Sequence, residues 1–183
     1  GKRVLLGSFS HGSMANALPH AIGASFARPD QQVIALCGDG GLSMMLGDLA
    51  TVVQYKLPVK VIVFDNRSLG MVRLEMQVAG LPDRQTDMYN PDFVKIAEAM
   101  GMPSYYVEDP DEVQPTLEAA LASGGPVLVH IKTNPNSLAM PPVIDFNQIK
   151  GYALSMSKLI FDGKVDEVIE ILKSNYKRIH EIL

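Results

Sequence analysis

The chain has 183 residues, a single cysteine and no tryptophan. No apolar run approaches the ~18 residues that a membrane-crossing helix needs. Cys37 alone excludes an intrachain disulfide framework and fits a reducing compartment, so the expected location is the cytoplasm. Positive charge is not in surplus: the formal net charge of -4 gives no electrostatic reason to expect a nucleic-acid partner. No Gly-Lys-Ser/Thr occurs, which excludes a P-loop, and no G-x-G-x-x-G follows the first expected strand, which excludes the nicotinamide fingerprint. Internal repeats and low-complexity tracts are also missing. The opening Gly1-Lys2-Arg3-Val4 has neither an initiator Met nor the apolar core of a signal peptide, and reads as a start within a longer protein.

What is present suits one globular domain with a small appendage. Hydrophobic residues make up 47% and charged residues 20%, a balance that allows an independent core at this length. A polar loop from Ser8 to Asn16 leads into a helix over about 15–27. Val33 to Cys37 is a short apolar run that reads as a buried strand, stopped by Gly38-Asp39-Gly40-Gly41. A helix is expected from Leu42-Ser43 to Tyr55, where Leu57-Pro58 breaks it. Val59 to Phe64, rich in β-branched residues, is the clearest strand and ends at Asp65-Asn66. A helix through Val78, a loop over 80–90, a helix over 91–100, a strand at 105–107, a helix over 111–122 and a last strand over 126–132 follow. Strands alternating with helices predict an α/β fold, a doubly wound, mostly parallel sheet with helices on both faces. The expected domain spans 1–143. Asn134 to Pro142 reads as a linker, and 144–183 as a C-terminal helical tail broken at Asp162-Gly163.

In open α/β sheets, ligands sit beyond the carboxyl ends of the strands. Two strand ends here carry unusual polar groups, Asp39 and Asp65-Asn66. The 24 residues from Gly41 to Phe64 between them suffice for one crossover helix and one strand, which sets the ends side by side. The chemistry that fits is a metal-bound diphosphate. Mg²⁺ takes hard oxygens in an octahedron, often one or two from protein and the rest from phosphate and water. Asp39 offers a carboxylate, Asn66 an amide oxygen and Ser68 a backbone carbonyl. Gly38, Gly40 and Gly41 let the backbone approach the diphosphate, and the following helix start offers free N–H groups. A bare Gly-Asp-Gly is usually only a tight turn; its place after a buried strand, with Asp-Asn after the next, makes it specific.

Gly38-Asp39-Gly40, the 24-residue gap and Asp65-Asn66 resemble the thiamine-diphosphate motif, usually written GDG…NN, with Asp65 in place of the commoner first Asn. The segment from Gly7 to Ala17 resembles the preceding loop of the pyruvate-oxidase and acetolactate-synthase branch. That segment, together with Lys56-Leu57-Pro58-Val59-Lys60, Leu69-Gly70-Met71-Val72, Lys150-Gly151-Tyr152 and the run from Asp166 to Glu170, is most similar to bacterial quinone-reducing pyruvate oxidases.

The resemblance implies several roles. Asp39, Asn66 and the Ser68 carbonyl would ligate Mg²⁺. The Gly12 carbonyl would accept the cofactor's amino group beside Ser13, and Met14 would be the apolar pillar that bends thiamine diphosphate. Leu69 and Gly70 would line the cofactor site, and Glu75 would be a carboxylate near the substrate. It also implies pyruvate as substrate, a membrane quinone as electron acceptor, and FAD held mainly by a middle domain. That domain and an N-terminal pyrimidine domain would lie outside this chain, so the chain alone would be inactive. The enzyme would be a homotetramer built from dimers of active-site halves.

Bland readings stand beside these. Met14 is one of ten methionines and, by pattern alone, suits a core. Glu75 suits a solvated helix face. His11 lies in the matched loop with an undecided role; His20, His130 and His180 read as structural or exposed. In the tail, Val165, Val168, Ile169, Leu172, Tyr176, Ile179 and Leu183 follow helical spacing, opposite Asp166, Glu167, Glu170, Lys173 and Lys177. That pattern suits docking on the protein body or a neighbouring subunit. The resemblance implies instead a peripheral contact with the inner face of the cell membrane. A soluble oxidase using O₂ and phosphate, acetolactate synthase, and a non-catalytic scaffold are the alternative functions.

Overall fold

The computed structural model describes residues 4–137 and 145–182, with side chains through Tyr176. Residues 138–142 of the expected linker and the expected domain boundary at 143–144 lie outside the described residues, as do the side chains of Ile179, His180 and Leu183. The described residues form two compact units, one of 4–67 and 89–133, the other of 68–88, 134–137 and 145–182.

The first unit is built on four parallel strands, β1 (Val33–Gly38), β2 (Val59–Asp65), β3 (Ser104–Val107) and β4 (Val127–Lys132), in the order β1-β2-β4-β3. Its helices are α1 (Ala17–Ala27), α2 (Asp39–Met44), α3 (Leu49–Gln54), α5 (Phe93–Ala99) and α6 (Pro110–Ala122); α4 (Gly70–Val78) belongs to the other unit. Side chains alternate across a strand, so each face collects every second residue. Ala35, Cys37, Val59, Val61, Val63 and Leu128 pack with Leu18, Leu42, Leu49, Val52, Phe93 and Ala97 on one face. Ile62, Val107, Val127, Val129 and Ile131 pack with Ala120 of α6 on the other. Full burial of such a side chain stabilises by roughly 1.5–3 kcal/mol. The expected parallel α/β sheet with helices on both faces is what the sequence forms.

Two helix starts differ from expectation. The helix after β1 begins at Asp39 itself, not near Leu42, and the expected single helix is three pieces: α2, a 3-10 turn (Leu46–Asp48) and α3. Asp39 occupies the first turn, where a carboxylate suits the positive end of the helix, so the strand passes directly into it. The helix expected from Pro91 begins at Phe93, because Asp92 caps it by accepting the Lys95 N–H at 3.1 Å. A 3-10 turn (Met14–Asn16) precedes α1.

The second unit comprises α4, α7 (Phe146–Phe161) and α8 (Val165–Ile182). Met156 and Leu159 of α7 pack with Val168 and Ile171 of α8. Gly151 lets α7 close on α4, since a Cβ there would overlap the Val78 carbonyl. Buried Arg73 of α4 ties the unit together, its Nε 2.8 Å from Asp83 and its Nη2 2.9 Å from Glu167. The break expected at Asp162-Gly163 is present, with Gly163 at φ +80.

Candidate functional site

β1 and β2 run in register with Gly38 opposite Phe64, so Asp39 and Asp65 leave the sheet side by side. The alternation that points Cys37, Val63 and Leu128 into the α1–α5 face carries Asp65 and His130 onto that face too. Asp39 and Asp65 are each only 4% exposed and His130 only 7%. Three ionisable side chains are therefore gathered near the strand ends, Asp65 and His130 by the pleat and Asp39 by the passage of β1 into α2.

One amide joins them. Asn90 Nδ2 donates to Asp39 Oδ2 at 2.7 Å and to Asp65 Oδ1 at 2.7 Å. Asp65 Oδ1 also accepts the Arg67 N–H at 2.9 Å, a local turn that holds Arg67 in the left-handed region at φ 54. Asp65 Oδ2 lies 2.8 Å from His130 Nε2, and the His130 ring stands edge-on to Phe93 and Tyr106. Asp39 Oδ1 accepts the Gly40 N–H at 2.9 Å.

The two carboxylates have opposite fates. Burial pushes Asp65 up, but hydrogen bonds from His130, Arg67 and Asn90 outweigh it and hold the group below its ordinary value. Burial also pushes Asp39 up; its bonds from Asn90 and Gly40 offset this only in part, and neighbouring Asp65 adds to the rise. Asp39 has no Lys, Arg or His ion pair among the described residues. A buried carboxylate without a cation is costly; it takes up a proton, as the upward push on Asp39 favours here, or it meets a positive partner, and a metal ion is one such partner. Asn90 Oδ1 is a further buried oxygen, without a hydrogen-bond partner among the described residues. Asn66 follows Asp65 directly, half-buried at the end of β2. Among the described residues no cluster of three or more His, Cys, Asp and Glu is placed to hold a metal, so a cation here would draw on a carboxylate, amide or carbonyl oxygens and phosphate, a hard-oxygen set that fits Mg²⁺.

The preceding loop meets the same place. A Cβ on Gly41 would overlap the Met14 carbonyl oxygen, so glycine at 41 is what lets the loop close on α2. Gly12 sits at φ +60 and donates its N–H to Ser8 at 2.7 Å. Gly12 and Ser13 are exposed, and the Met14 side chain is 42% exposed, so it is not a core methionine. Gly40 and Gly41 are buried and Gly38 is exposed.

Of the other expected residues, Ser68, Leu69, Gly70 and Glu75 fall in the second unit. Ser68 is buried and bridges to Asp87, Leu69 donates its N–H to Thr86 at 2.8 Å, and Gly70 opens α4. Glu75 is exposed on α4. His11 and His20 are exposed. Sequence reading missed Asn90, placed in a plain loop, and set His130 among structural or exposed histidines; it is buried and bonded to Asp65. Its alternation with Leu128 was the available signal.

A parallel α/β sheet that gathers a buried carboxylate, an amide and a glycine-dependent backbone approach at neighbouring strand ends has the features of a metal–diphosphate-binding domain. Residues 1–131 match the family described as thiamine pyrophosphate enzyme, C-terminal TPP binding domain, and the chain belongs to that family. It is 39% identical over 162 residues to a Bacillus subtilis protein described as thiamine pyrophosphate-containing, a match covering 88% of this chain and 28% of that one. It is 37% identical over 123 residues to the acetolactate synthase isozyme 2 large subunit of Escherichia coli, covering 66% and 22%. Among solved structures it is similar to the thiamine diphosphate-dependent 4-hydroxybenzoylformate decarboxylase of Rhodococcus jostii, with a TM-score of 0.61, 34% identity and coverage of 64% and 23%. The chain thus spans about a quarter of the length of the proteins it matches.

Proposed function

We propose that this chain is the C-terminal part of a thiamine-diphosphate- and FAD-dependent pyruvate oxidase. The reaction would convert pyruvate and water to acetate and CO₂ and pass two electrons and two protons to a membrane quinone. The observation that carries the cofactor assignment is the buried Asp39 carboxylate, without a cationic partner among the described residues and set beside Asp65-Asn66 on the next strand. Asp39 and Asn66 would hold Mg²⁺, the backbone of 38–41 would take the diphosphate, and Gly12, Ser13 and Met14 would border the rings. When bound, thiamine diphosphate supplies the nucleophilic carbon and electron sink that decarboxylation of a 2-keto acid requires, and that no side chain here provides. The protein's part is to orient, through fixed oxygens and a loop held close by Gly41, and to exclude water. FAD is assigned to no described residue and would lie elsewhere in the whole protein.

The quinone reading draws on the tail. Val165, Ile169, Leu172 and Tyr176 are 42–63% exposed, and their spacing puts them on one stripe of α8, flanked by the buried Val168. An exposed apolar stripe suits reversible contact with a membrane surface, or with a neighbouring subunit of a homo-oligomer. No helix among the described residues is long and apolar enough to cross a membrane. Acetolactate synthase is the second reading, favoured by the named Escherichia coli relative.

Product analysis on the intact protein separates the readings. Acetate formed with quinone reduction, stimulated by lipid vesicles and losing that stimulation when residues 164–183 are removed, supports the proposal. Acetolactate, or acetyl phosphate with peroxide, would replace it with a related activity. Absence of thiamine diphosphate binding would favour a scaffold.

A further inference from the structure

The amide of Asn90 answers a problem that the two strand ends create. Two buried carboxylates emerging side by side repel each other, and either could swing away. An amide NH₂ is neutral and carries two N–H donors in a fixed fork, so it can bind one oxygen of each carboxylate at once. Asn90 does this, at 2.7 Å to Asp39 and 2.7 Å to Asp65. Its own position is set locally. Pro91 disfavours helical backbone at residue 90, and Asp92 caps α5, so Asn90 stays outside the helix. Asp65 is in turn anchored by His130 on β4 and by the Arg67 N–H. A chain of bonds therefore runs from β4 through β2 to the end of β1, and its last link is Asn90.

We propose that Asn90 is a positioning residue for cation binding. It fixes the Asp39 carboxylate at the strand end, so that no rearrangement is needed before Asp39 takes a divalent cation. This rests on the reading of Asp39 as a cation ligand. Partners that orient a metal-binding group typically matter 10- to 100-fold in affinity. The proposed role runs through the Asn90 N–H groups, which face the carboxylates and, as donors, cannot ligate a cation; Oδ1 takes no part in it.

The test uses the intact protein with Mn²⁺ as probe in the presence of thiamine diphosphate, read by electron paramagnetic resonance. Asn90→Ala is expected to weaken Mn²⁺ binding by about 10- to 100-fold and to alter the spectrum of the ion that still binds. Asn90→Gln, which keeps the donor fork on a longer arm, is expected to fall between it and wild type. Cation-free urea midpoints of both variants should stay near the wild-type value. Asp39→Asn provides the control for the underlying reading and should abolish binding. Wild-type affinity in Asn90→Ala, with binding lost in Asp39→Asn, overturns the positioning role and leaves the ligand assignment standing. Binding retained in Asp39→Asn removes the ligand assignment and the proposal with it. A loss of affinity matched by a fall in the urea midpoint, equal in both Asn90 variants, marks a merely structural residue and also overturns it.

Discussion

The two units each bury a polar cluster, and the clusters are balanced differently. In the second unit Arg73 meets Asp83 and Glu167, and Lys164 stands 3.4 Å from Glu167, so two cations face two carboxylates. In the first unit one neutral amide bridges Asp39 and Asp65, and one histidine is bonded to Asp65 alone. A closed charge balance holds helices together and asks for nothing more. An open one, at the ends of paired strands, is a place for a cation. Burial of polar groups alone does not distinguish structure from site; the residual charge does.

That contrast predicts opposite phenotypes. Arg73→Met should remove roughly 3 kcal/mol of stability, the lower end for a broken buried pair because Glu167 is 30% exposed, and should leave cation affinity within twofold. Urea unfolding and Mn²⁺ titration of the intact protein check both halves. The two close-approach glycines sharpen the comparison. Gly41→Ala drives a Cβ into the Met14 carbonyl and Gly151→Ala drives one into the Val78 carbonyl, each costing about 1–3 kcal/mol. Only Gly41→Ala should also weaken thiamine diphosphate binding, because only Gly41 lies beside the loop proposed to border the cofactor. Equal effects on cofactor affinity would erase the division of labour.

The smallest effect concerns Cys37, on the core side of β1. Burial pushes its thiol from 9.0 to about 12, so the folded chain keeps it protonated and inert. Its folded pKa is raised, hence its contribution is fully present below about pH 9 and is lost as pH rises towards 12. At pH 8 a thiol reagent should label Cys37 only after unfolding; rapid labelling of the native protein would show that the strand is not packed as described.

Much of this was legible in the sequence. The β-branched runs of β1, β2 and β4, the crossover lengths and the Asp39 and Asp65-Asn66 strand ends all follow from local pattern. The same two-residue alternation that selects Cys37, Val63 and Leu128 for the core also selects Asp65 and His130, so the histidine was within reach. Asn90 was not, because its bonds join it to residues 51 and 25 positions away, across a loop with no periodicity. The Arg73 cluster was hidden for the same reason, drawing on 73, 83 and 167. The early start of α2 was missed because glycines at 40 and 41 read as turn, whereas helix backbone there is set by Asp39 in the first turn and by closure of the loop at Met14.

Isothermal titration of the intact protein with Mg²⁺ and thiamine diphosphate tests the central claim most directly. The wild type should bind the cofactor in a cation-dependent manner, and Asp39→Asn should bind at least 100-fold more weakly, about 2.7 kcal/mol, with its fold retained. Cofactor binding that is indifferent to Mg²⁺, or unchanged in Asp39→Asn, would contradict the account.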